Sequence, residues 1–297
     1  LNRPAKTVKS FYLRKPGEFV DKRCRTVYSG GVWYILEKSE LARKMKEGKT
    51  DAAGGIRGFI DIHNHVLPGL DDGAQSLDQA LFMLRQAVSQ GMTGLIATSH
   101  FKPDRYIRER ELYEQQFQLL EETAGKEFPG FRFYRGNEIF FYQDVIKELQ
   151  TGVCHTLAET DYVLVEFSPV QQYPYIRTAV ELLGEEGYRP VIAHAERYNA
   201  LEEDMDRVWE LRDLGALIQV NAGAVEKGGK RFGKTFIRRL LEEEAVHFLA
   251  TDAHNGTNRA FRLEPCLKNL RKWCSYSYIR RITWINQRKL LENQYIE

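Results

Sequence analysis

The sequence predicts an α/β fold of about seven parallel βαβ units, preceded by a basic N-terminal extension. Three observations carry that expectation. From Phe59 onward, short apolar runs rich in β-branched residues alternate with amphipathic stretches, as strands do when helices carry the chain back across a parallel sheet. In six of the seven units the residue at or just after the strand end is His, Glu or Asp, and barrels of alternating β and α units place their reactive groups there. The 297 residues are 43% hydrophobic and 12% aromatic, which allows a large core in one α/β barrel or two smaller domains.

Residues 1–58 are the least legible. They hold 14 Lys+Arg against 6 Asp+Glu, while the rest of the chain holds 29 against 35. The net +2 therefore hides two pieces of opposite sign. Residues 27–36 (VYSGGVWYIL) suggest a hairpin about Ser29-Gly30-Gly31, and 39–46 a short helix. Residues 51–58 (DAAGGIRG) read as a flexible linker. The expected state of 1–58 is a solvated or partly ordered appendage. An acidic partner, an anionic membrane surface or nucleic acid are alternatives that no motif supports.

The regular part begins with a strand at 59–62. Ser76-Leu77-Asp78-Gln79 is a capping box, and Leu77, Ala80, Leu81, Leu84, Ala87 and Val88 mark a helical stripe that Gly91 ends. A strand at 93–98 is followed by His100, and a helix is expected over 108–124 with Tyr113, Phe117 and Leu120 on one face. A strand at 131–135 leads to Gly136-Asn137-Glu138, and a helix at 143–150 precedes a strand at 162–165 that ends at Glu166. Helix 175–186, strand 190–193 and His194 follow; then helix 204–214, strand 216–220 and Asn221; then helix 233–244, strand 246–250, and Asp252 with His254.

Composition narrows the function classes. No apolar run reaches the roughly 18 residues of a membrane span, the mean hydropathy is −0.47, and no apolar segment of the secretory type is visible. Cys24, Cys154, Cys266 and Cys274 contain no C-x-x-C pair, which argues against a zinc ribbon or a thioredoxin-like motif. A reducing cytoplasm is the expected setting.

The chemistry concentrates at the strand ends. His63 and His65 stand two apart on an extended backbone, so their side chains share a side, and Pro68-Gly69 and Asp72-Gly73 then supply turns. Taken alone, an H-x-H is better explained by a satisfied pair of surface histidines. His100, His194 and His254 at other strand ends, joined by Glu138, Glu166 and Asp252, tip the balance to a divalent-cation site of imidazole and carboxylate. His155 and His247 lie off the strand ends and read as structural.

The strings DIHNHVLPGLDDGA, ATSH, GNEI, VLVEF, IAHAERY and TDAHN, in this order, resemble the PHP superfamily (polymerase and histidinol phosphatase). More narrowly they resemble the bacterial manganese-dependent tyrosine phosphatases of capsule and exopolysaccharide loci. The resemblance runs from about Phe59 to the C-terminus, where WINQRKLLENQ is similar to the family's terminal helix, and it does not cover residues 1–58. It implies a distorted seven-stranded (β/α) PHP-type barrel over 59–297 holding three divalent ions, with manganese first and iron or zinc also suited to the donors. It implies one metal on His63, His65, Glu138 and Asp252, a second on Glu138, Glu166 and His194, and a third on Asp72, His100 and His254. Arg197 and Arg259 match the phosphate-binding positions and, with Asp72, make up the expected catalytic set. Ala195 and Ser99 stand where a proline is common, and Asn64 where a small residue is usual. Asn221 is either a support for a ligand or a plain strand-end hydrogen bond.

The implied reaction is attack of hydroxide on phosphorus without a phosphoenzyme. The implied substrate is a phosphotyrosine protein, namely a membrane-associated tyrosine kinase controlling polysaccharide export. The enzyme would be cytoplasmic at the inner face of the membrane, not integral to it, and without a nucleic-acid partner. Two other readings remain open at this point: a small-molecule phosphatase of the histidinol-phosphatase type, and an electrostatic nucleic-acid or membrane-surface binder acting through residues 1–58.

Overall fold

The computed structural model describes residues 24–29, 32–37, 58–101, 106–227 and 234–297. The chain divides into two compact units, Leu1–Gly48 and Lys49–Glu297. In the first, β1 (Cys24–Ser29) and β2 (Val32–Glu37) pair antiparallel from Ser29↔Val32 to Cys24↔Glu37, so the expected hairpin is present and longer than its sequence signal. The helix expected at 39–46 and the linker at 51–57 lie outside the described residues.

The second unit contains β3 (Phe59–Asp61), β4 (Met92–Ala97), β5 (His100–Phe101), β6 (Arg132–Arg135), β7 (Glu138–Phe140), β8 (Tyr162–Glu166), β9 (Arg189–Ile192), β10 (Leu217–Asn221) and β11 (Phe248–Ala250). All pairs are parallel, in the orders β3-β4-β6 and β5-β7-β8-β9-β10-β11. The β4·β6 ladder ends at Ala97↔Arg135 and the β5·β7 ladder starts at His100↔Glu138. These four short strands are thus two barrel positions, each broken in the middle. Seven positions follow among the described residues, as expected, but two of them carry a break that periodicity cannot reveal. Across it the Tyr113 hydroxyl lies 3.0 Å from the Ala97 carbonyl and accepts from the Gly136 N–H at 3.1 Å, satisfying backbone that the ladder leaves unpaired.

The curl closes between its first and last strands. Asn64 and Ala253 form a parallel bridge, His65 N–H donates to the Ala253 carbonyl and Asp252 N–H to the His63 carbonyl, both at 2.8 Å. Buried Asp61 adds a side-chain clasp, accepting from the Thr251 N–H at 2.9 Å and from the Thr251 hydroxyl. Burial pushes its pKa up to about 6 against these hydrogen bonds. Ile96, Leu164, Val191, Leu217 and Phe248 fill the interior with Leu290 and Ile296 from the C-terminal segment. That segment covers the strands' N-terminal end, where Tyr162 donates to the Gln294 carbonyl and Asp161 N–H to Asn293. The interior is a packed core, so reactive groups are left to the opposite end.

The helices match the expected types with shifted ends, for example Leu77–Ser89 and Tyr106–Glu127. The capping box is only half formed. Ser76 Oγ accepts from Gln79 N at 3.3 Å, but Gln79 Oε1 accepts from Gln75 N instead of Ser76 N.

His247 is structural, as expected. Its Nδ1 accepts from Ile218 N–H at 2.9 Å, and burial, with Arg212 and Arg281 nearby, depresses its pKa to about 3. The unfolded chain therefore binds one more proton than the native state between about pH 6.5 and 3. Stability falls as pH drops through that window, by about 1.4 kcal/mol per pH unit from this group. In urea melts across that range, His247→Gln, which keeps an acceptor, is expected to flatten the slope by that amount; an unchanged slope would contradict a neutral buried imidazole.

Candidate metal centre

The strand ends converge on Glu138. Its Oε1 lies 3.1 Å from His63 Nε2 and 2.9 Å from His194 Nε2; its Oε2 lies 3.1 Å from both His65 Nε2 and His100 Nδ1. Four imidazoles thus face one carboxylate that is 1% exposed. Burial opposes its charge, but His63 and the bonds from His194, His63 and His65 hold its pKa well below the usual carboxylate range.

Asp252 Oδ1 lies 3.5 Å from His63 Nε2 and 3.6 Å from His65 Nε2. Glu166 lies 3.3 Å from His194 Nε2 and 3.6 Å from His100 Nδ1. Asp72 Oδ1 is 3.3 Å from His254 Nε2 and 3.5 Å from His100 Nε2. All nine sequence-predicted ligands are therefore in one cluster. Its inner wall is closed, whereas the Asp72 side chain is 62% exposed and forms the open side.

Within the cluster, ligand atoms lying within 4.8 Å of one another fall into three sets: His65, Asp72, His100 and His254; His63, His65 and Glu138; and His100, Glu138 and Glu166. The grouping differs from the expected one in two respects. His65 also faces the Asp72 set, and His100 reaches Glu138 and Glu166 through its second nitrogen.

The donor chemistry fits a cation. The Nε2 atoms of His63, His65 and His254 are buried and, although carboxylate oxygens lie close, make no well-directed hydrogen bond, an arrangement that suits a cation between nitrogen and oxygen. Imidazole and carboxylate without thiolate suit manganese, iron or zinc. In the free protein, protons take part of that role. Burial disfavours charge on His194, yet Glu138 and Glu166 raise its pKa to about 9. Burial likewise opposes charge on His65, and Asp71 and Glu138 overcome it, raising its pKa well above the usual value. Burial and neighbouring His65 press His254 down to about 4. Binding a cation must displace the protons on His65 and His194, so affinity rises with pH.

Other side chains set the ligands' aim. Asp71 accepts from His65 Nδ1 at 2.7 Å and from the N–H groups of His100 and Gly73 at 2.9 Å. Asp71 thus fixes the ring of His65 and ties its loop to the backbone of His100. Gln219 and Tyr198 were not anticipated. Gln219 Oε1 lies 3.0 Å from His63 Nδ1, and the Tyr198 hydroxyl 3.4 Å from His194 Nδ1. A glutamine inside the apolar run ALIQV, two residues before Asn221, was a usable signal for the first; nothing marked the second. His194 and Asp252 have left-handed backbones, φ +34° and +53°, a strain of about 1–3 kcal/mol each that concentrates at functional sites.

Gly73 shows how tightly the Asp72 loop is drawn in. An added Cβ would sit 2.1 Å from the His65 carbonyl oxygen and 2.5 Å from its Cβ. Gly73→Ala is expected to cost about 1–3 kcal/mol of stability and to weaken metal uptake, as read by thermal unfolding with and without manganese. A variant identical to wild type in both would show that the loop is free to move off His65.

Arg197 and Arg259 both meet Asp252. Arg197 pairs with Oδ2 through Nη2, and Arg259 Nη2 lies 3.0 Å from Oδ1 and 3.1 Å from Oδ2. Both line a cleft of about 410 Å³ with Asn221, Lys227, Asp252 and Arg262. Two guanidinium groups thus stand where the cluster meets the cleft, whose wall also carries Glu196 and Glu226. None of Cys154, Cys266 and Cys274 is activated: burial pushes Cys154 up to about 12 and Cys274 to about 11, and raises fully buried Cys266 well above the usual thiol range.

A family described as "Capsular polysaccharide synthesis, CpsB/CapC" matches residues 59–292. The tyrosine-protein phosphatase CpsB of Streptococcus pneumoniae is 31% identical over 243 residues, 80% of this chain and 100% of that protein. The tyrosine-protein phosphatase YwqE of Bacillus subtilis is 34% identical over 215 residues, 72% of this chain and 84% of that protein. A solved structure described as YwqE from Bacillus subtilis and CpsB from Streptococcus pneumoniae, "unique metal-dependent tyrosine phosphatases", superposes with a TM-score of 0.73 at 33% identity, covering 80% of this chain and 96% of the other. The phosphotriesterase homology protein from Escherichia coli, at 13% identity and TM-score 0.54, shares the fold alone.

Proposed function

This chain belongs to the CpsB/CapC family of capsular polysaccharide synthesis, and on that premise we propose that it is a metal-dependent tyrosine phosphatase whose buried cluster and paired arginines hydrolyse phosphotyrosine on proteins. The observation that carries the reading is the meeting of Arg197 and Arg259 with Asp252, where the imidazole–carboxylate cluster borders the cleft. Divalent ions, when bound, supply ionisation of water near neutral pH and neutralise phosphoryl oxygens.

The chain's own residues do the rest. His63, His65, Glu138 and Asp252 would hold one ion, Glu138, Glu166 and His194 a second, and Asp72, His100 and His254 a third. The meeting of four imidazoles on the two oxygens of Glu138 supports its place as the bridge. The guanidinium forks of Arg197 and Arg259, which pair with Asp252 at the edge of the cleft, would grip the phosphate by parallel hydrogen bonds. They stabilise charge on its equatorial oxygens while the tyrosyl oxygen leaves. Cys154, Cys266 and Cys274, whose thiols burial keeps protonated, are not nucleophiles in this reading.

The phosphatase domain is residues 59–297, with 1–58 a basic extension. Manganese is the native metal in this reading, and a membrane-associated tyrosine kinase of capsule export the substrate, met at the cytoplasmic face. The capsular-synthesis family supports this, and no described helix is long and apolar enough to cross a membrane.

The test is turnover by the full chain with manganese, zinc or iron on a phosphotyrosine peptide and on histidinol phosphate. The peptide is expected to be preferred at least tenfold in kcat/KM, with activity lost to chelator and restored by manganese. Preference for the amino-alcohol phosphate would replace this reading with a small-molecule phosphatase.

A further inference from the structure

We propose that Gln219 and Asn221 form an amide relay that fixes the tautomer of His63 and the rotamer of Asp252, and so sets how tightly the centre holds its first cation. The inference rests on His63 and Asp252 being ligands; what it adds is a pair of positioning residues that never touch the cation.

The relay is continuous. Gln219 Oε1 faces the backbone N–H of His194 at 2.8 Å and His63 Nδ1 at 3.0 Å. Gln219 Nε2 donates to Asn221 Oδ1 at 2.8 Å, and Asn221 Nδ2 donates to Asp252 Oδ2 at 2.7 Å. Both termini are chemically obligate. A backbone N–H only donates, and an ionised carboxylate only accepts. Each amide therefore has one allowed orientation, fixed independently from its two ends. With an oxygen facing it, His63 Nδ1 carries a proton, so Nε2 is the nitrogen that can serve a cation, 3.1 Å from Glu138 Oε1 and 3.5 Å from Asp252 Oδ1.

Burial makes the relay consequential. Gln219 is 0% exposed and Asn221, at the floor of the cleft, 4%, so Gln219 has no water to replace its partners and Asn221 little. Both lie on the face of β10 that carries Leu217 into the interior core, because residues two apart on a strand share a side. One short stretch of strand thus steers a ligand from the first barrel position and a ligand from the last. Chain closure brings those two together, and the relay holds their orientation afterwards.

The test is a double-mutant cycle on manganese affinity of the full chain, read by competition with a chromogenic chelator. Gln219→Met and Asn221→Leu are each expected to weaken binding about 10–100-fold, as loss of a ligand's supporting partner does. The double variant should fall well short of the product of the two, because either cut opens the same chain. A second readout is the nitrogen-15 spectrum of zinc-loaded protein, in which His63 should show a protected Nδ1–H that Gln219→Met exposes to exchange.

If Gln219→Met does not fold, Gln219→Glu keeps the acceptor for His63 and removes the donor to Asn221. In that background Asn221→Leu should have little further effect. Unchanged affinity in the single variants, strictly multiplicative effects, or a wild-type His63 protonated on Nε2 would each overturn the relay. His63→Ala separates this failure from that of the underlying reading. If that variant also keeps wild-type affinity, His63 is not a ligand at all.

Discussion

Glu138→Gln is expected to lower kcat/KM on a phosphotyrosine peptide by about 10³-fold, or about 4 kcal/mol of transition-state stabilisation. The side chain keeps its size, but an amide has one oxygen where the carboxylate presents two, and those two serve four imidazoles: His63 and His194 at Oε1, His65 and His100 at Oε2. The amide nitrogen would instead offer hydrogens to lone pairs that must bind a cation. Removing the negative charge also weakens every cation nearby. Bound metal per chain, measured by mass spectrometry, should fall together with the rate. A variant that keeps full metal stoichiometry and full rate would sink the bridging role.

The next largest effect is expected at Arg197. Its guanidinium pairs with Asp252 at the wall of the cleft, and Arg259 links the same carboxylate to Asp72. Burial opposes charge on Asp252, but His63 and Arg197 keep its pKa well below the usual range. Arg197→Ala should cost about 10²–10³-fold in kcat/KM, the magnitude seen when a preorganised donor to a developing oxyanion is removed. Arg197→Lys retains charge without the two parallel donors and should recover only part of that loss. Inhibition by inorganic phosphate should weaken in step. If Arg197→Ala is inhibited by phosphate as strongly as wild type, the phosphate is bound elsewhere.

Much of the fold could be read because its signals are local. Apolar β-branched runs mark strands 59–61 and 217–221 whatever surrounds them, and Ser76 accepts from the first turn of helix Leu77–Ser89 as a helix start requires. The breaks between Ala97 and His100 and between Arg135 and Glu138 could not be read. They depend on how far a closed sheet must bend, and Tyr113, on a separate helix, satisfies the opened backbone.

The same division runs through the centre. The types of its donors, and their positions at strand ends, follow from chain order, since a parallel barrel brings every strand's C-terminal end to one rim. Which nitrogen faces which oxygen does not follow. His100 uses both ring nitrogens, on Asp72 with one and on Glu138 and Glu166 with the other. His65 lies between two ligand sets. The left-handed backbones of His194 and Asp252 and the reach of Gln219 to His63 belong to the same class. Ligand identity is a property of residues in sequence. Ligand geometry is set by barrel closure between Asn64 and Ala253, a contact between residues far apart in the chain, and no local pattern encodes the distance across that seam.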